Sequence, residues 1–428
     1  TNFRGYIMIE YIKKGREREL DKNNTIEKDV RDIIDRVKSE GDEALRYFSK
    51  KYDGHDLDDM RVSKKDIELA YEIIDPEIKE KIARAHENIK DFAIRQKECM
   101  HSLKHEEGGK LLGHSIIPVN SAACYVPGGS YPLYSTALML CAPAKVAGVE
   151  RIIAITPISK DTGKVNPTTL VALDIAGADE IYSVGGAQGI AAACYGTESI
   201  NPVDVIVGPG NSYVTEAKRQ CYGKVGIDFL AGPSEVLIVA DSSANPEIIA
   251  ADILAQAEHD VYAKSILVTN DRSLANAVND EVYIRLEDLA TALIARKSWE
   301  EYGEILLVDD MDDAIAFANE YAPEHLEVMV DENRIDDIKD SFKNYGAIFL
   351  GENSAEVFGD YASGPNHTLP TLGASRYTGG LWVGTFLKVC SFQKISKKAA
   401  ASMAPDVAAL ARGEGLIAHA KAAEIRGR

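Results

Sequence analysis

Residues 204–218, DVIVGPGNSYVTEAK, join a short apolar run to a glycine turn and then to the first turns of a helical pattern. The same succession occurs at two earlier glycine turns, Tyr125–Gly129 and Gly185–Gly189. Strands that are separated by helices of ten or more residues are typical of a parallel sheet, because a parallel pair needs a long crossover. These turns therefore predict an α/β protein.

The rest of the chain extends this pattern to ten apolar runs that alternate with helical periodicity. They form two series of five, divided near Ala231-Gly232-Pro233, and predict two α/β modules with parallel sheets. The predicted strands are Ala122–Val126, Arg151–Thr156, Glu180–Val184, Asp204–Val207, Gly226–Leu230, Val236–Ala240, Ser265–Thr269, Glu304–Val308, His325–Val330 and Gly346–Leu350.

Helical patterns flank the two series. Residues 21–100 repeat apolar side chains at helical spacing, and we assign these helices to the second module. A run rich in Gly, Ser, Thr and Pro follows at 351–395, and an Ala-rich helical tail is predicted from about Ser396 to Arg428. A long tail without a core of its own packs either on its own domain or on a second subunit.

The composition restricts the possible partners. The 428 residues carry 48 basic and 67 acidic side chains, a net charge of −19, which disfavours nucleic acid and anionic membranes as partners. We also found no apolar run of about twenty residues that could cross a bilayer. The six cysteines are widely spaced without a CxxC motif, which favours reduced thiols and a cytoplasmic location.

Histidines supply the first indication of chemistry. Four of the nine lie beyond residue 114, and each has a carboxylate or carboxamide within a few positions. Such a set is what a divalent metal with an acid/base pair requires, so the pattern favours a metalloenzyme. The four are His259 in QAEH, His325 in PEH, His367 after Gly359-Asp360, and His419 after Glu414.

Two of these motifs can be placed on predicted elements. Gln256 and His259 lie three residues apart near the end of a helix that Asn245 can cap, so they share one face. Glu324 and His325 begin a strand, where neighbouring side chains point to opposite faces, so they can act together only if the turn is irregular. Taken alone, the first motif is better explained as a solvated polar helix end, and the second as an acidic surface turn.

The glycine turns also allow two interpretations. Each places backbone N–H groups at a helix N-terminus, where a phosphate can bind. None of them matches GxGxxG, however, and glycine serves tight turns in any parallel sheet. The turns are therefore compatible with a dinucleotide site without requiring one.

Eight ordered motifs resemble the histidinol dehydrogenase family, from about residue 20 to the C-terminus. They are YVPGGSYPL (125–133), VGGAQGIAA (184–192), VGPGNSYVTEAK (207–218), AGPSEVLIVAD (231–241), AQAEHD (255–260), APEHLE (322–327), GDYASGPNHTLPT (359–371) and EGLIAHA (414–420). The resemblance implies oxidation of a primary alcohol through a bound aldehyde to a carboxylate, with one Zn2+ per subunit and two NAD molecules used in turn.

The resemblance also implies roles for individual residues. The implied zinc ligands are Gln256, His259, Asp360 and, from the other subunit, His419. The implied acid/base pair is Glu324 and His325, the implied NAD contacts are Tyr125, Gln188 and Asn211, and the implied substrate contacts are Ser234, His325, His367 and Glu414.

The family further implies an intertwined homodimer of two incomplete Rossmann-like modules with an extended helical C-terminal tail. We expect an N-terminal arm at 1–20, one module formed by 21–120 together with 231–372 that carries the zinc helix, and a second, NAD-binding module at 121–230. The tail at 373–428 is expected to reach the partner subunit.

Substrate identity has two candidates. The family as a whole implies L-histidinol, which is oxidised to L-histidine in histidine biosynthesis. The run GASRYTGGLWVGTFLKVCSF at 373–392 is instead similar to the branch that oxidises 2,3-dihydroxypropane-1-sulfonate to 3-sulfolactate, the sulfopropanediol dehydrogenases.

Two other functional classes compete with a dehydrogenase as interpretations of this sequence. A zinc hydrolase could use the same metal ligands with Glu324 as the water base, but the three glycine turns argue against it. A non-catalytic member of the fold would lack a ligand or an acid/base residue, and all of them are present.

Overall fold

The structure is a computed structural model that describes residues 9–18, 24–57, 59–128 and 132–428. Its strands are β1 (Glu10–Lys13), β2 (Leu103–Glu107), β3 (Lys110–Pro118), β4 (Ser121–Tyr125), β5 (Arg151–Ile155), β6 (Glu180–Tyr182), β7 (Val205–Val207), β8 (Gly226–Ile227), β9 (Glu235–Ala240), β10 (Lys264–Thr269), β11 (Glu304–Leu307), β12 (His325–Met329), β13 (Ala347–Leu350) and β14 (Leu387–Ile395).

Helices make up most of the remainder. They are α1 (Asn24–Glu40), α2 (Asp42–Tyr52), α3 (Lys64–Ile73), α4 (Pro76–Glu98), α5 (Tyr134–Ala147), α6 (Pro167–Ile175), α7 (Gly186–Tyr195), α8 (Ser212–Cys221), α9 (Pro246–Ala257), α10 (Arg272–Asp288), α11 (Ala292–Tyr302), α12 (Met311–Tyr321), α13 (Glu332–Ile338), α14 (Glu356–Tyr361), α15 (Lys397–Gly413) and α16 (Ile417–Arg426). Short 3-10 turns lie at Lys339–Ser341, Ala374–Arg376 and Val383–Phe386. No helix in the described ranges is both long and apolar enough to span a membrane.

Two parallel sheets contain all ten predicted strands, which confirms the α/β fold class. One has five parallel strands in the order β6-β5-β4-β7-β8, and the other has six in the order β1-β11-β10-β9-β12-β13, with only β1 antiparallel. The central strand β9 is buried at every position because helices cover both faces of its sheet. Each module thus has a sheet between two helical layers.

The early helices pack differently from the sequence-based expectation. Residues 21–120 were expected to group with 231–372, but α1 packs on α7 and α8, α3 on α6, and α4 on α5. The apolar stripe of α1, with Val30 and Ile34, lies in one core with Ile190 and Ala191 of α7. These helices therefore cover the five-stranded sheet. Helical periodicity identifies the buried face of a helix, but it does not identify the sheet that covers that face.

A third, antiparallel sheet was missed by the sequence analysis. It has the order β14-β3-β2, and β3 pairs with β14 from Lys110 with Ile395 to Pro118 with Leu387. Its side chains are largely exposed, so the strands lack the apolar runs that revealed the others. The predicted helical tail is confirmed as α15 and α16, which pack on each other through Ala408, Ala411 and Ala420.

A buried ion pair connects α8 to the end of the five-stranded sheet. Lys218 Nζ contacts Asp228, and both side chains are almost fully buried. Lys218 also donates to the Gly208 carbonyl at 2.8 Å, and the Gly208 N–H donates to Asp228 at 2.7 Å. This pair therefore holds both polar groups of the glycine that begins the turn at 208–211.

Replacing Lys218 with Met should destabilise the protein by about 3–5 kcal/mol, because it leaves the Asp228 carboxylate buried without its cation. The exposed Lys224, changed to Met in the same way, should cost about 0.5 kcal/mol or less. Urea unfolding followed by circular dichroism measures both. Equal losses from the two substitutions would show that the buried pair does not stabilise this module.

Candidate active site

The predicted acid/base pair lies at the N-terminal end of β12, an inner strand of the six-stranded sheet. Ala322 ends α12 in the left-handed region, with φ 57°, and the chain then enters the strand through Pro323. This is the irregular turn that the sequence required for the pair to act together. Glu324 and His325 are both buried, with 6% and 4% of their surface exposed, so neither is a solvated surface residue.

The backbone of Glu235, at the start of β9, holds both members of the pair. Its N–H donates to Glu324 Oε2 at 2.9 Å, and its carbonyl oxygen lies 3.1 Å from His325 Nδ1. A carbonyl can only accept, so Nδ1 carries the proton and Nε2 is left with the free lone pair. His325 Nε2 lies 3.6 Å from Glu356 Oε1.

Burial shifts the pKa of both residues. It lowers the pKa of His325 to about 4, so the imidazole is neutral at neutral pH. Burial also raises the pKa of Glu324 well above its usual range, and the nearby carboxylates of Glu235 and Asp360 add to this shift. A neutral imidazole with a free lone pair is the form that accepts a proton.

A cluster suited to a metal ion lies beside the pair. His259, Glu356 and Asp360 each offer a ligand atom, and these atoms lie within 4.8 Å of one another. Imidazole nitrogen and carboxylate oxygen are the donors that zinc accepts, so the donor set fits this ion. The cluster includes His259 and Asp360, two of the four predicted ligands. Its third residue, Glu356, was not predicted. We call these three residues the metal-type cluster.

Gln256 adjoins this cluster but its amide contacts protein groups. With the amide oriented to satisfy its neighbours, its nitrogen donates to Glu356 Oε1 at 2.7 Å. Its oxygen then lies 2.9 Å from the Glu235 N–H, the same group that donates to Glu324. The amide therefore lies between the metal-type cluster and the acid/base pair.

Glu356 is the residue that the sequence analysis missed. It lies on α14 one helical turn before Asp360, so the two carboxylates share a face. That spacing of four was visible in the sequence. Burial raises the pKa of Glu356 well above its usual range, with Asp360 as a further cause.

Other predicted residues lie around this centre. His367 Nε2 lies 3.3 Å from Ser135 Oγ on α5, and the neighbouring Asn366 donates to the Met139 carbonyl at 2.6 Å. These contacts connect the metal-type cluster to the module that contains the glycine turns. Ser234 immediately precedes Glu235, and its carbonyl accepts from the Lys264 N–H at 3.1 Å.

Glu414 and His419 are not brought to this centre within the described chain. Both are exposed, on a pair of helices that pack mainly on each other. His419 lies on α16, and Glu414 follows the end of α15.

The three residues predicted to contact NAD line one cavity of about 830 Å³. Tyr125 lies at the end of β4, Gln188 in the first turn of α7, and Asn211 caps α8 by accepting from the Tyr213 and Val214 N–H groups. The N-termini of α7 and α8 thus both face this cavity, an arrangement that favours an anionic ligand. Gly129 of the first turn lies outside the described residues.

The Tyr125 ring is fixed within this cavity wall. Its hydroxyl accepts from the Gly186 N–H at 3.0 Å, and burial raises the pKa of Tyr125 to about 12. The hydroxyl therefore stays protonated at neutral pH and can donate to a bound ligand.

Comparison with known proteins points to one family. The family model described as histidinol dehydrogenase matches residues 16–427. The chain is 45% identical to histidinol dehydrogenase of Methanocaldococcus jannaschii, covering 93% of this chain and 91% of the relative. It is 42% identical to a histidinol dehydrogenase homolog of Shouchella clausii, covering 98% of this chain and 99% of the relative.

A solved structure shows the same fold. The crystal structure of histidinol dehydrogenase from Elizabethkingia anophelis superimposes with a TM-score of 0.91 at 38% identity, covering 96% of this chain and 94% of that one. The protein is therefore an NAD-dependent oxidoreductase. More specifically, the chain belongs to the histidinol dehydrogenase family.

A half-buried carboxylate, Asp252, lies on α9, the helix that also carries Gln256. Burial raises the pKa of Asp252 on α9 to about 6, whereas the ordinary value is 3.8. The folded protein therefore binds this proton more tightly than the unfolded chain, and the resulting stability is lost as pH rises from about 4 through 6. Asp252→Asn should stabilise the protein at pH 7–8 by about 1–2 kcal/mol and much less at pH 4.

Thermal unfolding across this pH range measures the effect. Asp280→Asn on α10, where the side chain is exposed, is the matched control and should leave the pH dependence unchanged. A pH profile for Asp252→Asn that parallels the profile of the parent protein would contradict the assignment.

Proposed function

We propose that this protein oxidises L-histidinol through an enzyme-bound aldehyde to L-histidine, with transfer of two hydrides to two NAD molecules in turn. The observation that carries the proposal is the arrangement around Glu235, where a buried acid/base pair and a metal-type cluster meet. The relatives named histidinol dehydrogenase support the choice of substrate.

The metal centre in this proposal consists of Gln256, His259, Asp360 and His419 of a second copy of the chain. Zinc, when bound, supplies a Lewis acid that holds the substrate oxygen. The Gln256 amide faces Glu356 at one end and the Glu235 N–H at the other, so its oxygen can serve as a ligand in the orientation that places it on the Glu356 side. Glu356 then remains as a hydrogen-bonding neighbour of the ligands.

His325 acts as the base in the first step of the proposal. Its Nδ1 proton is held by the Glu235 carbonyl, so Nε2 takes the hydroxyl proton as hydride leaves the adjacent carbon. The pKa of about 4 keeps this nitrogen free of a proton before the reaction. The same value makes the imidazolium give the proton away readily afterwards.

Glu324 acts in the second step. It deprotonates the water that attacks the aldehyde carbon, and the hydrated aldehyde then loses the second hydride. The buried position strengthens the carboxylate as a base once it is ionised, because burial disfavours its charge. Retention of the aldehyde in a closed site avoids release of a reactive intermediate.

NAD occupies the cavity of Tyr125, Gln188 and Asn211 in this proposal. The helix N-termini of α7 and α8 provide N–H groups for the pyrophosphate. Three residues of the same chain contact the substrate, namely Ser234, His325 and His367. Glu414 of the second copy is the fourth contact. Glu414 is suited to the ammonium or the imidazole of histidinol, as a carboxylate pairs with a cationic donor.

A homodimer is part of the proposal because the site needs His419 and Glu414. The helices that carry them expose several apolar side chains, and Leu410 has 72% of its surface accessible. An exposed apolar surface of this kind favours a protein partner. A cytoplasmic location is also proposed, since all six cysteines are free thiols.

Sulfopropanediol oxidation is the alternative, based on the run at 373–392. A sulfonate needs cationic or N–H donors. Arg376, the arginine of that run, donates to the carbonyls of Gly373 and Glu320, and its side chain lies at the surface. These bonds use two of its five N–H donors, and the group is exposed instead of buried beside the acid/base pair, which favours histidinol.

A substrate panel tests the proposed function. The zinc-loaded protein with NAD should form about two NADH for each histidinol, with histidine as the product. We expect kcat/KM for histidinol to exceed that for 2,3-dihydroxypropane-1-sulfonate by about a hundredfold or more, because a buried charge left unpaired costs a few kcal/mol. Comparable turnover of both alcohols would contradict a dedicated pocket, and the reverse order would favour the alternative.

Glu324→Gln should separate the two steps. The first hydride transfer should be retained better than aldehyde oxidation, because only the second step needs a water base, and each acid/base role contributes about two to four decades in rate. The two half-reactions are assayed separately with the alcohol and with the aldehyde. Equal losses in both would show that Glu324 is not specific to the second step.

Mixing two inactive variants tests the shared site. His259→Ala and His419→Ala chains that reassort at random should restore about a quarter of the sites, since half of the dimers are mixed and one of their two sites is intact. Activity is measured after subunit exchange. Well-exchanged mixtures that remain inactive would rule out a site built from two chains.

A further inference from the structure

The acid/base pair depends on the backbone of a single residue, Glu235. Its N–H donates to Glu324 Oε2 at 2.9 Å, and its carbonyl accepts from His325 Nδ1 at 3.1 Å. These two groups belong to the peptide groups on either side of the Glu235 Cα, so a shift of this residue would move both bases. It would also weaken the preference of His325 for the Nδ1–H tautomer, because the carbonyl is the hydrogen-bond acceptor that Nδ1 faces.

The side chain of Glu235 is itself held from several directions. Its carboxylate accepts from the Tyr321 hydroxyl at 3.0 Å and from the Leu372 N–H at 3.1 Å, and it forms an ion pair with Arg18. The Glu235 side chain is 1% exposed and that of Arg18 is 8% exposed. A carboxylate this deeply buried requires a cation, and Arg18 provides it.

Arg18 reaches this position from the N-terminal segment. The segment adds β1 to the edge of the six-stranded sheet beside β11, and Arg18 lies five residues beyond that strand. One guanidinium nitrogen donates to the Pro233 carbonyl at 3.1 Å, while another contacts Glu235. The planar guanidinium thus links two points of the loop that enters β9, which a single point charge does less well.

We propose that Arg18 is a positioning residue for the reaction: by clamping Glu235 and Pro233, it fixes the backbone of Glu235, which orients Glu324 and His325. Within the described residues Arg18 forms no hydrogen bond or ion pair with Glu324, His325 or the metal-type cluster, so it positions the pair through Glu235; its charge also acts on Glu324 directly and lowers the pKa of that carboxyl against the larger rise from burial. The inference rests on the proposed roles of Glu324 and His325 as bases.

Kinetics provide the first test. Arg18→Met should lower kcat for the alcohol about 10- to 100-fold, since a displacement near 1 Å of a reacting group costs about this much, while KM changes less than about threefold. Arg18→Lys should recover part of the loss because it restores the charge without the fork. Arg16→Met, an exposed arginine two residues away, is the matched control and should retain parent kinetics. Rates are normalised to bound zinc.

A double variant separates positioning from stability. Arg18→Met leaves Glu235 without its cation and should lower Tm, whereas adding Glu235→Gln removes the buried charge and should raise Tm again. The positioning role requires that kcat stay reduced in the double variant, because the link from Arg18 to the loop is still missing. If kcat recovers together with Tm, Arg18 is merely structural and the inference is wrong.

A spectroscopic measurement tests the inference without turnover. Nitrogen-15 labelled histidine reports which ring nitrogen of His325 carries the proton, and His325→Gln identifies the signal. The parent protein should show the Nδ1–H tautomer, and folded Arg18→Met should show a mixture. An unchanged tautomer in that variant would overturn the positioning role. If the parent oxidises neither alcohol, the proposed function fails and the tautomer measurement alone decides this inference.

Discussion

Burial of several carboxylates around one neutral imidazole is the constraint on which this site depends. Glu324 and Glu356 both lie within reach of His325, and burial raises the pKa of both. Concentrated negative charge in a poorly solvated space is costly unless a cation compensates it. Near Glu235 that cation is Arg18, a part of the chain. Around His259, Glu356 and Asp360 a divalent metal fits the need, which is why the proposed function includes zinc.

The position of this centre follows from how the two parallel sheets are arranged. The acid/base pair and Glu235 lie on the six-stranded sheet. Tyr125, Gln188 and Asn211, which line the cavity, lie in the module of the five-stranded sheet. His367 and Asn366 connect the first to α5 of the second through Ser135 and Met139. A hydride acceptor held by one module can in this way meet a substrate held by the other. The buried pair of Lys218 and Asp228 holds both polar groups of Gly208, three residues before Asn211 of that cavity.

Sequence patterns predicted the parts of this fold that depend on local periodicity. The ten parallel strands of the two sheets, the capped helix that carries Gln256 and the helical tail follow from apolar spacing and turn chemistry, whereas the antiparallel edge strand β1 was not predicted. Contacts between distant segments could not be predicted in this way. The helices of residues 24–98 cover the five-stranded sheet, and Arg18 meets Glu235 across more than two hundred residues. Glu356 was accessible to prediction, because it precedes Asp360 by one helical turn. The irregular turn at Ala322, which allows neighbouring Glu324 and His325 to converge, has no signature beyond the following proline.

The cluster of His259, Glu356 and Asp360, beside the acid/base pair, is the proposed position of the metal ion. Anomalous diffraction at the zinc absorption edge, from crystals of the zinc-loaded protein, can locate the ion. We expect one strong peak per chain at about 2.0–2.2 Å from a His259 nitrogen and an Asp360 oxygen, with His419 of a second copy completing the site. A peak elsewhere in an active, zinc-containing crystal, with no density at this cluster, would show that the metal position is wrong.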